Sequence, residues 1–143
     1  MTDAATAIMN LLNAEWSLSN PAKADIYWAN SRFEAVDFAR VGKNYVVACY
    51  APMAVASVKS VAAGLWQIEQ NVMVDIIVRV TSNVDAAVEA RENMRGEVYR
   101  IIKAKETSSN IFALIQLTRE FNKVESPDLV RVSLQVSCLT FQT

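Results

Sequence analysis

The stretch Val72-Met73-Val74-Asp75-Ile76-Ile77-Val78-Arg79-Val80 decides how the rest of the chain is read. Positions 72, 74, 76, 78 and 80 are all apolar and β-branched, and Met73, Asp75, Ile77 and Arg79 alternate with them. A period of two puts a fully apolar face on one side of a strand and a mixed face on the other. After Thr81 the period lengthens. Val84, Ala87, Val88, Met94, Val98, Ile101 and Ile102 recur at steps of three and four, the stripe of an amphipathic helix running to about Lys105. A strand with one apolar face, followed by a helix with one apolar stripe, folds so that each buries the other. Ser82-x-x-Asp85 has the spacing of an N-terminal cap, and Lys103 and Lys105 sit well near the negative end of the helix.

Working outward, Leu65 to Val80 continues with little punctuation, which is long for a strand. The alternation over Ala54–Val61 and the Ala63-Gly64 turn predict a projecting hairpin over 54–72. Tyr45–Tyr50 is a strand rich in β-formers, and Ala24–Ala29 a shorter one. Asp3 to about Glu15 reads as a first helix with Asp3 favouring its N-terminus, stopped by Ser17 to Pro21. The segment from Asn30 to Gly42 fits either a helical turn or an irregular connection. Toward the end, Ile111–Phe121 and Leu129–Phe141 read as strands joined by a loop over Asn122–Asp128, an antiparallel hairpin. Val130, Val132, Leu134, Val136 and Cys138 face one way, and Arg131, Ser133, Gln135 and Ser137 the other. The sum is a single domain over 1–143 of α+β class: a mainly antiparallel sheet packed by helices on one face, with a projecting β-hairpin.

The totals narrow the function. The chain has 143 residues, 52% apolar and 20% charged, which suits one globular domain with a sizeable core. A net charge of −1 argues against a broad basic surface for nucleic acid. No apolar run reaches the length of a membrane span, and the N-terminus has no basic region or apolar signal core. Histidine is absent, which removes the commonest general base and transition-metal ligand. With three glycines in all, no glycine-rich phosphate loop is available, and no G-x-S-x-G elbow is present. Cys49 and Cys138 read as free buried thiols or, alternatively, as a disulfide between neighbouring strands. No catalytic residue, cofactor-binding residue or metal ligand is predicted.

What remains points to contact surfaces. Asp75 and Arg79 share the mixed face but stand too far apart to touch, so each is expected to find a partner on the next strand. Arg91 and Arg95 interrupt the helix stripe, either covering apolar surface with their stems or pairing with a carboxylate on a neighbouring strand or subunit. Gly96 lies off the stripe and would permit close approach of another element. Trp16, Trp28 and Trp66 are core residues or interface anchors, and Trp66, on the proposed arm, best suits the second role. The mixed face carrying Met73, Asp75, Ile77, Arg79, Arg131, Ser133, Gln135 and Ser137 has the composition of a face that meets another protein.

These residues resemble the tail terminator, or tail completion, proteins of long-tailed bacteriophages and related viruses. The resemblance rests on the long strand from Trp66 to Val78, on Asp85-Ala86-Ala87-x-x-Ala90-Arg91-x-x-Met94-x-x-x-Val98-x-x-Ile101, and on the closing strand Arg131-Val132-Ser133-Leu134-Gln135-Val136. It spans about residues 3–140 and consists of strand and helix patterns, not catalytic signatures. It implies a non-enzymatic virion protein, made in the host cytoplasm, that forms a homohexameric ring. Such a ring caps the tail tube, joins it to the head connector and leaves room for DNA to pass. Its implied partners are other copies of itself, the tail tube protein and the head–tail connector protein, with no membrane and no sequence-specific nucleic acid. Under this reading Lys59, Trp66, Gln67, Glu69, Asp75, Arg79, Arg91, Arg95 and Arg131 are expected at interfaces. Head-completion and other connector proteins have comparable layouts. A cellular small-molecule-binding α+β domain, with its pocket between helix and sheet, is the rival from another class.

Overall fold

The structure is a computed structural model that describes residues 3–52, 57–109, 112–126 and 128–142, with 122–126 described by their backbone. Its elements in order are α1 (Ala4–Glu15), β1 (Ile26–Ala29), α2 (Phe38–Val41), β2 (Tyr45–Tyr50), β3 (Ser57–Ala62), β4 (Leu65–Arg79), α3 (Val84–Ala104), β5 (Leu114–Ser126) and β6 (Leu129–Gln142). The six strands form one sheet in the order β1-β2-β4-β6-β5, with β3 added to β4. All pairings are antiparallel except β1 with β2. This is the predicted α+β architecture.

β4 is the axis. Along one side it pairs with β6 from Trp66↔Gln142 to Arg79↔Leu129. Along the other it pairs first with β3, from Ser57↔Glu69 to Ala62↔Leu65, and then with β2, from Tyr50↔Met73 to Tyr45↔Val78. The period-two reading of its faces holds. Val72, Val74, Ile76 and Val78 join Val47, Cys49, Val130, Val132, Leu134 and Val136 in a core closed by Ile8 and Leu12 of α1 and by Met94, Val98, Ile101 and Ile102 of α3. Burial of each such side chain is worth roughly 1.5–3 kcal/mol, so this layer dominates stability.

The helix ends follow from capping. The Asp3 carboxylate accepts from the Thr6 amide at 2.9 Å and from its hydroxyl at 2.8 Å, and these bonds hold its pKa below the usual value. α3 is capped by Asn83, whose side chain accepts from the Ala86 amide at 2.8 Å, not by Ser82 as its spacing suggested. Asparagine is at least as good a cap, and it sits one residue nearer the first apolar position.

One expectation is corrected and two are extended. First, the connection from Asn30 to Asn44 is the crossover that a parallel β1–β2 pair requires. It lies on the sheet face opposite α1 and α3, where Phe33 and Phe38 cover Ala29, Val46, Ala48, Ile77 and Leu129. The two long helices therefore share one face, and the four-residue α2 lies on the other. Second, β5 does not end at Phe121. Backbone pairing continues from Asn122↔Val132 to Ser126↔Leu129, because β6 offers a ladder that outweighs the weak β-propensity of Asn122 and Lys123. Pro127 lies outside the described residues. The expected start of this strand at Ile111 likewise lies outside them.

Third, the arm is broader than the hairpin alone. Residues 54–56 lie outside the described residues, and β3 pairs with β4 as predicted. The same stretch of β4 also pairs with Ser137–Gln142 of β6, so the projection is a wing at least three strands wide. All six β3 residues are exposed.

Candidate assembly surface

The nine residues expected at contacts fall into three groups. Lys59, Trp66, Gln67 and Glu69 come together on the wing. Lys59 and Phe141 flank Gln67 on neighbouring strands, so these three share one face. Trp66 lies on the other face, flanked by Ser60 and Gln142. The Glu69 carboxylate accepts from the Ser137 hydroxyl at 2.8 Å, which fixes it along the sheet. Neither wing face is closed over: Trp66 is 47% exposed on one and Phe141 48% on the other, with Val58 and Val61 also exposed. Sequence patterning singled out Trp66 and missed the other three. A valine at an alternating position and an aromatic near the end of a strand carry no mark of exposure.

Arg79 is alone at the opposite end of β4, about 40 Å from Trp66 at ~3.3 Å per residue. It is exposed, and with Ala35, Val36, Phe38, Ala39, Asp128 and Leu129 it borders a shallow cleft.

Arg91, Arg95, Asp75 and Arg131 are used inside the chain. A bulge between Leu117 and Arg119 in β5 shifts the register by one. Glu120 thereby turns to the helix side of the sheet, where strict alternation would have pointed it away. There Arg95 of α3 donates Nε to its Oε1 and Nη2 to its Oε2, the latter at 2.8 Å, while the Tyr99 hydroxyl donates at 3.2 Å. The Arg95 guanidinium also stacks on Tyr99, 4.7 Å from the ring centroid. This fork lowers the Glu120 pKa and raises that of Arg95. The pairing of Arg95 with a carboxylate of a neighbouring strand is thus realised within one chain. Arg91 donates to Glu92 at 2.9 Å, and only 12% of its side chain is exposed.

Asp75 and Arg131 meet on the face covered by the crossover. Arg131 Nη1 donates to Asp75 Oδ2 at 2.8 Å, and Nη2 donates to the Phe33 carbonyl at 3.0 Å. Asp75 is 1% exposed and Arg131 5%, so neither offers surface to a second protein in this conformation. Burial, and then the Asp75 charge, push the nearby Tyr50 phenol up to about 12.

A further network had no sequence signal. Glu97 of α3 accepts from the Ser17 amide and hydroxyl and from Arg100 Nε at 2.7 Å, while Arg100 Nη2 donates to the Glu15 carbonyl at 2.8 Å. It closes the C-terminal end of α1, and the Arg100 bond, with help from Ser17, holds Glu97 down at about 2.

Cys49 and Cys138 are free thiols; burial raises both, Cys138 to about 12, so neither is a ready nucleophile. Among the described residues no group of His, Cys, Asp and Glu is placed to hold a metal ion, and no helix is long and apolar enough to cross a membrane. Met94, Val98, Ile101 and Ile102 fill the space between α3 and the sheet at 0–1% exposure, where a ligand pocket was the rival expectation. No Cβ contact within 4 Å exists at Gly96, so its open position is not explained by packing inside the chain.

No family model matches the chain, and no curated protein does. Among solved structures the fold is similar to that of a chain in the virion of a native gene transfer agent particle. That likeness has a TM-score of 0.62 at 12% identity and covers 95% of this chain and 92% of the other. At this identity the likeness is one of fold.

Proposed function

We propose that this chain is a structural protein of a phage-type virion. In this reading copies of it form a ring, a hexamer by the resemblance, that caps the tail tube and joins it to the head connector. The observation that carries the reading is the fold shared with a virion chain over nearly the full length of both. The wing supports it. A solitary domain gains nothing from extending β3, β4 and β6 past its helices with Val58, Val61, Trp66 and Phe141 exposed. Such a surface is what subunits of a ring offer one another, and Trp is enriched at such contacts.

The role is architectural and not catalytic, and its site of action is the virion. Within it, Lys59, Trp66, Gln67 and Glu69 form the subunit contact, and Arg79 meets a different neighbour at the far end of the sheet. Arg91, Arg95, Asp75 and Arg131 hold the subunit in shape. Electron microscopy of the purified protein tests this. Annular particles of uniform subunit number support it. Monodisperse monomers up to high concentration, also when mixed with tail tubes from the same virion, refute it.

A further inference from the structure

We infer that residues 31–42 form a strap that leaves and rejoins the sheet as one unit, and that Arg131 on Asp75 is its latch. The two ends of the strap are pinned. Asn30 Nδ2 donates to the Thr6 hydroxyl at 3.3 Å, and Lys43 Nζ donates to the Ala24 carbonyl at 2.7 Å. Gly42, at φ 63, supplies the left-handed turn that re-enters the sheet.

Between these points the attachment is sparse. Phe33 and Phe38 are buried, their rings edge to face at 5.0 Å, and Val41 is partly buried. Val36 is 78% exposed. The polar contacts Arg32–Glu34, Glu34–Asp37 and Arg40–Asp37 stay inside the strap and move with it. A 3-10 turn and a four-residue helix have little cohesion of their own.

The latch is suited to reversible docking. Its fork spans a sheet carboxylate and a strap carbonyl, so these two bonds form together only when the strap is in register. A buried ion pair is a poor source of stability compared with apolar packing, but it is well satisfied by water once uncovered. It therefore sets where the strap docks while lowering the penalty of its release. An apolar pair at these positions would do the reverse.

Native-state thiol labelling of the full chain tests this. Ala48 is buried beneath the strap, so in an Ala48→Cys variant the introduced thiol reports strap release, while the native Cys49 and Cys138, buried on the helix face, report global unfolding. Release without global unfolding predicts labelling at position 48 on the order of 100-fold faster than at Cys49 and Cys138. Arg131→Lys in that background, which keeps the charge but loses the fork, should speed labelling at position 48 about tenfold further and leave the two native thiols unchanged. Asp75→Leu with Arg131→Met should slow it. Equal protection of all three thiols overturns the inference, as does an Arg131→Lys variant that shifts all three together or none. Should that variant fail to fold, native trypsin cleavage after Arg32 and Arg40, whose side chains are 69% and 68% exposed, decides. Rapid cleavage of wild type with the rest of the chain intact supports the strap, and resistance as long as that of the sheet refutes it.

Discussion

The two halves of β4 share one strand and have opposite fates. From Val72 to Val78 every residue but Met73 is buried, and α1, α3 and the crossover lie over the two faces. From Leu65 to Asn71 none is fully buried, although this half pairs with β3 over Leu65–Glu69 and with β6 over Trp66–Asn71. The ladder to β6 thus runs unbroken from Trp66 to Arg79 while the covering layers do not. Hydrogen bonding extends a sheet, but burial decides which part of it is core. The uncovered half leaves Trp66 exposed beside Val58 and Val61 of β3 and Phe141 of β6, and that contrast is the reason to look for a partner there.

The contrast can be broken most severely in the covered half. Ile76→Asp places an unpaired carboxylate at a site of 0% exposure and should abolish folding, read as loss of a cooperative thermal transition. A folded variant would mean the faces are assigned backwards. Next comes Asp75→Ala, which removes the buried carboxylate to which Arg131 Nη1 donates. It should cost about 3–5 kcal/mol in denaturant unfolding, whereas an exposed pair would cost under about 1 kcal/mol.

Acid titration gives a smaller effect. Glu97 falls from 4.5 in the unfolded chain to about 2 in the folded one, so its contribution is fully present above pH 4.5 and is lost as pH drops toward 2. Its side chain is buried but Arg100 is half exposed, so screening leaves about 2 kcal/mol. Glu97→Gln should flatten the stability profile over that window, and an unchanged slope would remove this network from the account.

The smallest changes belong to open positions. Gly96→Ala meets nothing within 4 Å and should raise stability by about 1 kcal/mol through helix propensity. A loss of stability would show that the helix surface at Gly96 is not open. If the same substitution stabilises the subunit yet weakens assembly, a neighbouring copy packs there.

Much of the covered half was legible in the sequence because burial imposes a period. Both long helices and the core faces of β4 and β6 follow from alternation or stripe, while β2 showed only its wealth of β-formers. The crossover was not legible, since its two anchoring phenylalanines are five residues apart in a stretch with neither period, and its fold is dictated by the sheet beneath it. The bulge that turns Glu120 inward was invisible too. One extra residue inverts the facing of everything beyond it and leaves no mark in composition. Of the candidate contacts, Asp75 and Arg131 were expected at interfaces from the mixed face, and the structure buries them against each other within the chain. Which surface takes them up was beyond a single strand's pattern, because the covering segment comes from elsewhere in the chain.

Sedimentation velocity on wild type and Trp66→Glu, side by side over a wide concentration range, tests the central claim most directly. The wing account predicts a discrete oligomer for the wild type and a monomer for the variant. Their unfolding free energies should agree within about 1 kcal/mol, as for a substitution at a partly exposed site. A wild type that stays monomeric throughout, or a variant that assembles as well as the wild type, would contradict it.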